Sequence, residues 1–290
     1  MLLVDASVYI FRAFHSLPSS LTGRDERPMN AVYGYATFLT QLLAADDDAS
    51  VAAAFDESLT SSFRNEMYAD YKTTRELPPA ALVDQIAACR QLTQAMGVAT
   101  LSSPIYEADD LIGTLAASAR EPVTIVTSDK DLAQLLGPRD ILWDYARELR
   151  YDPAAIRHKF GVDPVAIPDY LALVGDSVDN IPGVPGIGAK TAARLLGLFD
   201  GLEPMLADLD AVAASGLRGA KSLAEKLAGH ADQARLSRRL ATIVTDIELS
   251  ADERDIARRP PNRDRLAALG DELGLGDRIR RRLDHAAAQA

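Results

Sequence analysis

The 290-residue chain contains a single cysteine, Cys89, and so cannot close an intramolecular disulfide. That scarcity points to a reducing cytoplasm. Cys89 lies in the helical run Asp84-Gln85-Ile86-Ala87-Ala88-Cys89, where a small core residue is expected rather than a nucleophile. The four histidines (His15, His158, His230 and His285) are scattered, with no partner spacing that suggests catalysis. Without a histidine or cysteine ligand pattern, zinc is disfavoured. The helix–loop–helix spacing of a calcium loop is missing too. No serine, cysteine or threonine stands in a nucleophile context, so covalent catalysis is not expected. No apolar run reaches the length of a membrane span, and the first residues read as a core strand rather than a signal peptide. The one tryptophan, Trp143, sits in an apolar strand and reads as core. Low-complexity tracts and solenoid-period repeats are absent.

Acid is what the chain has in excess. Forty-two Asp and Glu face thirty-one Lys and Arg, a net charge of −11, which at first argues against a nucleic-acid partner. The distribution matters more than the sum. Three apolar runs each stop on an aspartate. Met1-Leu2-Leu3-Val4 ends on Asp5, and Val51-Ala52-Ala53-Ala54-Phe55 ends on Asp56. Pro122 to Ser128 ends on Asp129, with Asp131 two places on. Short apolar runs of this kind read as buried strands of a parallel sheet. Ligands bind such sheets at the carboxyl ends of the strands. Two further groups complete the pattern. Glu107, Asp109 and Asp110 open a helix, and Asp176 and Asp179 share a three-residue spacing. Positions three apart share a helix face.

Nine carboxylates brought together cannot all stay ionised without a counter-cation. Hard divalent ions, Mg²⁺ or Mn²⁺, take oxygen ligands of this type. Many carboxylates with such ions point to phosphoryl or phosphodiester chemistry. Setting these nine acids aside leaves the rest of the surface nearly balanced, so the acidic composition argues only weakly against a phosphodiester substrate. The competing reading is structural. Aspartate after a strand often caps the next helix, and acids favour a first turn. Asp129, before Leu132-Ala133-Gln134-Leu135-Leu136, is the clearest cap candidate. Nine independent caps explain the pattern less well than one site does. No nearby Lys or Arg pairs obviously with these acids.

The first ~160 residues alternate strand and helix patterns, an α/β layered domain. Helices are expected over 7–16, 31–44, 80–96 and 108–119, and a fourth strand over 140–144. Residues 57–79 fit neither period and interleave Arg64, Lys72 and Arg75 with Phe63, Tyr68 and Tyr71, a candidate flexible or arching element. After Tyr151 the pattern turns helical, with a boundary near 162–168. Glycine and proline punctuate 182–188. Residues 252–265 read as a charged surface connection to a last short helix.

In their order, these motifs resemble the flap endonuclease and 5′→3′ exonuclease family, in particular the 5′ nuclease domain of bacterial family-A DNA polymerases. The matching strings are Leu3-Val4-Asp5, Ala31-Val32-Tyr33-Gly34, Phe55-Asp56, Ser62-Phe63-Arg64, Tyr71-Lys72, Arg75, Tyr106-Glu107-Ala108-Asp109-Asp110 and Asp129-Lys130-Asp131-Leu132. Gly175-Asp176, Asp179-Asn180-Ile181-Pro182-Gly183 and Gly186-Ile187-Gly188-Ala189-Lys190-Thr191-Ala192 follow. They span about residues 1–200. The resemblance implies a PIN-like nuclease core over 1–165, with an arch over about 57–95. It implies a helical DNA-gripping region over 166–250 with a helix–turn–helix element at 183–196, and a C-terminal helical extension over 251–290.

The same resemblance implies roles. Asp5, Asp56, Glu107, Asp109 and Asp110 match ligands of a first metal position, and Asp129, Asp131, Asp176 and Asp179 those of a second. Lys72 and Arg75 match basic arch residues that steer and neutralise the scissile phosphate, and Arg64 matches a phosphate contact. Tyr33, Tyr68 and Tyr71 are candidates for stacking on an unpaired base, with core packing as the other reading. Gly183, Gly186, Gly188, Lys190 and Thr191 match a grip on duplex phosphates, where family members often hold K⁺ on backbone carbonyls. The implied activity is metal-dependent cleavage of 5′ flaps and 5′ ends in branched, flapped or nicked DNA, during replication and repair. A stand-alone, monomeric, cytoplasmic and nucleoid-associated nuclease is expected. Two readings stay open beside it, a non-catalytic DNA-structure binder and a ribonuclease. Ala6 and Val178 depart from the family pattern. Past Leu223 the resemblance fades, and the basic run Arg278, Arg280, Arg281 and Arg282 reads as a solvated helix face or frayed tail in preference to a contact with the DNA backbone.

Overall fold

Strand β1 (Leu2–Asp5) lies inside a six-stranded sheet, flanked by β2 (Val51–Asp56) and β4 (Thr124–Val126). β3 (Ala99–Ser103) extends the sheet beyond β2, and β5 (Ile141–Asp144) and β6 (Leu149–Tyr151) extend it beyond β4. The order is β3-β2-β1-β4-β5-β6, and every pairing is parallel except β5 with β6. This computed structural model describes residues 1–45, 50–57, 62–75 and 78–289. The chain builds outward from β1 to β3, then returns to build outward on the other side from β4. The point of reversal therefore falls between β1 and β4, where Leu3 pairs with Ile125 and Val4 with Val126. In open α/β sheets the crevice at such a reversal, at the carboxyl ends of the strands, is where ligands bind.

Side chains alternate across each strand, and here the two faces enter two cores. Leu2, Val4, Ala53 and Phe55 pack under α1 (Ala6–Ser16), α2 (Asn30–Ala45) and, beyond the short α3 (Phe63–Met67), under α4 (Ala80–Ala95). Leu3, Ala52, Ala54 and Ile125 face α5 (Ala108–Ser118) and the helices that follow α6 (Pro153–Phe160), including α7 (Ile167–Val174) and α8 (Ala189–Leu196). The last two helices, Arg263–Leu273 and Asp277–Gln289, return to the first face, where Leu266, Leu269, Ile279 and Leu283 are buried with α2 and α4.

Four expected helices form within a residue of their expected bounds. Two strands were not anticipated. β3 (Ala-Thr-Leu-Ser-Ser) is weakly apolar, and β6 is an edge strand of three residues. The segment expected as an arch divides. From Ala80 onward it is α4, whose Leu82, Cys89 and Leu92 are buried in the core. Residues 58–61 and 76–77 of that segment lie outside the described residues. Residues 277–289 are no frayed tail. Arg280 binds the Leu275 carbonyl at 2.6 Å and Asp271 at 2.5 Å, which locks the final helix to its predecessor.

Candidate metal centre

Asp5 ends β1 and caps α1, accepting from the Val8 N–H at 3.3 Å and from the Thr127 hydroxyl at 2.8 Å. Asp56 ends β2 and accepts from the Ala108 N–H at 2.9 Å, which ties β2 to the start of α5. Asp129 follows β4. Its N–H donates to Thr127 Oγ1 and its own Oδ1 accepts from the Asp131 N–H at 2.9 Å. Thus the aspartate expected as a cap does bond a backbone N–H, and it stands beside the other acids too. Glu107 is the N-cap of α5, and its N–H donates to Asp110 Oδ2 at 3.1 Å. Asp176 and Asp179 come from the turn after α7, where Asp176 and Ile181 bond reciprocally at 2.9 and 2.7 Å.

The nine acids form two populations. Four are neutralised by cations. Asp110, fully buried, takes a two-pronged bond from Arg64 at 2.7 Å to each oxygen. Glu107 meets Lys72 at 2.8 Å, Asp176 meets Lys130 at 2.5 Å, and Asp179 meets Arg75. Burial alone would push Glu107 up, but Lys72 and Arg64 outweigh it and hold its carboxyl below the usual range. The same balance, struck by Lys130, lowers Asp176. The network corrects the expectation that these acids lack obvious partners, because the partners come from distant segments. Lys72 and Arg64 are 35 and 43 residues from Glu107 in sequence, a separation no local spacing reveals.

The other five, Asp5, Asp56, Asp109, Asp129 and Asp131, make no ion pair among the described residues. Burial, and then the charges of Asp56 and Asp129, push Asp5 up to about 7. Burial and neighbouring aspartates raise Asp109, Asp129 and Asp131 as well. Asp131 Oδ1 is buried with no hydrogen-bond partner, an orphaned oxygen of the kind a bound cation satisfies. An all-carboxylate set in mutual repulsion has the chemistry of a hard divalent cation site. Among the described residues, no three of these side chains already stand as ligands about one point.

Three expected roles change. Arg64 was expected at a phosphate but is 2% exposed. Beyond Asp110 it donates to the Leu240 and Thr242 carbonyls at 2.9 and 3.0 Å, so its fork is spent inside the protein. Asp110 was expected to hold metal, but its oxygens already accept from Arg64, Glu107 N–H and Val244 N–H. Tyr71 was a stacking candidate but is buried, its hydroxyl between Glu107 at 3.2 Å and Asp179 at 3.4 Å. Tyr68 packs half-buried against the α5 core, and Tyr33, on α2, accepts from the Gly276 N–H at 2.7 Å. Thr127 and Lys130 went unassigned in the sequence. The Thr127 hydroxyl joins Asp5 to Asp129, and Lys130 stands between two of the acids in sequence, which was the available signal.

The 183–196 element is a tight turn leading into α8. Gly183 takes φ +63 and lies against the Gly175 backbone, where a Cβ would come within 2.4 Å of the Gly175 nitrogen. Gly186 takes φ +78, and Gly188 is the N-cap of α8, open on the side where a Cβ would stand. Val184 and Ile187 anchor the turn in the core, while Lys190 is exposed and Thr191 half-buried at the first turn of α8. Gln233 donates to the Gly183 carbonyl at 2.6 Å, and Lys226 approaches the Gly186 carbonyl at 3.5 Å.

The model of the 5′-3′ exonuclease N-terminal resolvase-like domain matches residues 1–161, and that of the 5′-3′ exonuclease C-terminal SAM fold matches residues 162–264. The chain belongs to the 5′-3′ exonuclease family. Within that family it is 44% identical over 277 residues to DNA polymerase I of Pseudomonas aeruginosa, covering 94% of this chain and 30% of the relative. It is 40% identical over 279 residues to the thermostable DNA polymerase I of Thermus aquaticus, covering 95% and 32%. The chain thus spans about a third of the length of these relatives. Among solved structures, bacteriophage T5 5′-exonuclease with bound zinc shares the fold of this exonuclease-family chain. The TM-score is 0.66 at 20% identity, over 99% of both chains. The T5 flap endonuclease with DNA and metal ions gives 0.67 at 19%, again over 99% of both.

The raised carboxylates give this family member a pH signature. A group whose folded pKa exceeds its unfolded value stabilises the fold fully below the unfolded pKa and loses that contribution as pH rises through the folded value. For Asp5 the window runs from about 4 to about 7. Metal-free protein is therefore expected to lose melting temperature from pH 5 to pH 8, and millimolar Mg²⁺ or Mn²⁺ to restore more at pH 8 than at pH 5. A thermal scan at both pH values, with chelator and with metal, checks this. Equal metal-induced shifts at the two pH values would count against a repulsive cluster.

Proposed function

We propose that this chain hydrolyses DNA phosphodiesters as a divalent-metal-dependent 5′→3′ exonuclease and 5′-flap endonuclease. The observation that carries the reading is the set of five unpaired acids at the reversal point of the sheet, rimmed by Lys72, Arg75 and Lys130. When bound, two ions supply an activated water and neutralise charge on the leaving oxygen. The chain's own residues position the rest. Asp5, Asp56, Asp109, Asp129 and Asp131 are the candidate ligands, and Asp176 and Asp179 join them through exchange of their lysine and arginine partners. Lys72 and Arg75 carry positive charge against Glu107 and Asp179, so a phosphate entering there meets counter-charge already in place. The turn at 183–188 and the start of α8, with Lys190 and Thr191, supply backbone and side-chain donors for duplex phosphates. A K⁺ ion at that turn would share its carbonyls with Gln233 and Lys226.

The substrates proposed are branched, flapped or nicked DNA, cut during replication and repair by a monomer. No helix of the described residues is long and apolar enough to cross a membrane. A cytoplasmic, nucleoid-associated setting suits the single buried cysteine. The test is a labelled 5′-flap duplex incubated with protein and Mg²⁺ or Mn²⁺, then with chelator, beside an RNA flap of the same shape. Metal-dependent cleavage near the DNA junction is expected. Binding without turnover would establish the non-catalytic reading, and preference for the RNA flap the ribonuclease reading.

A further inference from the structure

Val178 stands out against its surroundings. It lies between Asp176 and Asp179 in the turn after α7, yet its side chain is 62% exposed. A lone apolar residue on an open surface needs no explanation. This one lines a cleft of about 380 Å³ that Asp129 and Asp131 also line. Phe160, half-buried at the end of α6, lines the same cleft and is held edge-on to Tyr170 with ring centres 6.0 Å apart. Next to it Lys159 lies over the Tyr151 ring at 4.4 Å and makes no ion pair among the described residues. The cleft thus has an acidic wall, an apolar ledge and a cation held by aromatic rings.

We propose that Val178 and Phe160 form a ledge for the base or sugar of a nucleotide flanking the scissile phosphate, with Lys159 contacting the next phosphate along the strand. The inference rests on the nuclease reading above, and it adds Val178, Phe160 and Lys159 to the residues that contact substrate, in a cleft that Arg75 and Lys130 also line. A nucleotide is the occupant whose chemistry matches all three features. Its phosphates need the cation, and its base and sugar present a weakly polar face that gains by covering exposed carbon. Continuity with the acid cluster fixes which nucleotide it is, since the ledge and four of the acids line one cleft. An apolar ledge has no donors or acceptors to read base edges, so the contact is indifferent to sequence.

The test uses 5′-flap substrates that are intact or abasic at either nucleotide flanking the cleavage site, read as single-turnover kcat/KM. For the parent protein, loss of the base at one of these positions is expected to lower kcat/KM roughly three- to tenfold, the scale of a modest apolar contact. Val178→Ser is expected to lower cleavage of the intact substrate by a similar factor and to reduce the abasic penalty below about twofold, whereas Val178→Ile keeps both. Lys159→Ala is expected to raise KM with kcat unchanged, as for loss of uniform binding. An abasic penalty in Val178→Ser equal to the parent's overturns the ledge while leaving the nuclease reading intact. A parent protein that cleaves none of the substrates removes that reading and the ledge with it.

Discussion

Asp129→Asn is expected to lower flap cleavage by two to four orders of magnitude while leaving DNA affinity within about threefold. If Asp129 is a ligand of the proposed divalent-ion site, its loss removes several kcal/mol of transition-state stabilisation, and each 1.4 kcal/mol is a factor of ten. Asparagine is the informative replacement because Asp129 also accepts from the Asp131 N–H. Its amide oxygen preserves that bond and its neutrality removes only the charge. Asp129→Ala removes both, and comparable loss in the two variants assigns the effect to charge. DNA affinity should survive because the proposed duplex grip, the turn at 183–188 and helix α8, belongs to a different part of the chain. Stability should move the other way. Burial, opposed by its bond to the Asp131 N–H and joined by repulsion from Asp179, raises Asp129, so its charge works against the metal-free fold. The asparagine variant is therefore expected to melt above the parent at pH 8 in chelator. Single-turnover cleavage, a binding titration in chelator and a thermal scan test these points. A variant keeping a tenth or more of parental cleavage would remove Asp129 from the ligand set.

Arg64→Met is expected to cost about 3–5 kcal/mol of stability, because it strands the buried Asp110 carboxylate and deprives the Leu240 and Thr242 carbonyls of their donor. In a chain of this size that lowers the melting temperature by roughly 10 °C. Lysine should rescue little, since one ammonium cannot reproduce the fork that serves Asp110 and two carbonyls together. The double variant Arg64→Met with Asp110→Leu should recover part of the loss, because no buried charge is then left alone. Recovery stays partial, since Glu107 and Val244 also donate their N–H groups to Asp110. Were Arg64 a phosphate contact instead, the single variant would melt like the parent and show a shallower salt dependence of DNA binding. Parallel melting and salt-titration curves separate the two roles.

The positions of the acids were legible in the sequence because strand-terminal aspartates are a local signal. A run of apolar residues, then a carboxylate, places Asp5, Asp56 and Asp129 on one sheet edge without knowledge of the partners. Their states of charge were not legible. Whether an acid is neutralised depends on residues from remote segments: Arg64 and Lys72 reach Asp110 and Glu107 from the 62–75 segment, and Lys130 reaches Asp176 from beside β4. Arg64 shows the limit well. As a string it is one more basic residue in a polar segment, and only the packed structure reveals that its guanidinium is enclosed by α5 and the residues after Leu240. The strands missed, β3 and β6, fail for another reason. A Ser- and Thr-rich strand and a three-residue edge strand carry almost no hydrophobic signal, and they form because the sheet supplies a partner. Helix α4 was recognised by its own periodicity, and the same residues were also assigned to an arch. Burial of Leu82, Cys89 and Leu92 decides for the core.

The claim on which the rest depends is that the five unpaired acids are a divalent-ion site. A crystal grown with Mn²⁺ and measured at a wavelength where manganese scatters anomalously addresses it without reference to activity. Anomalous peaks are expected beside Asp5, Asp56, Asp109, Asp129 and Asp131, and they should vanish or weaken in Asp129→Asn. Ordered Mn²⁺ elsewhere on the protein, with none beside these five acids at millimolar metal, would contradict it.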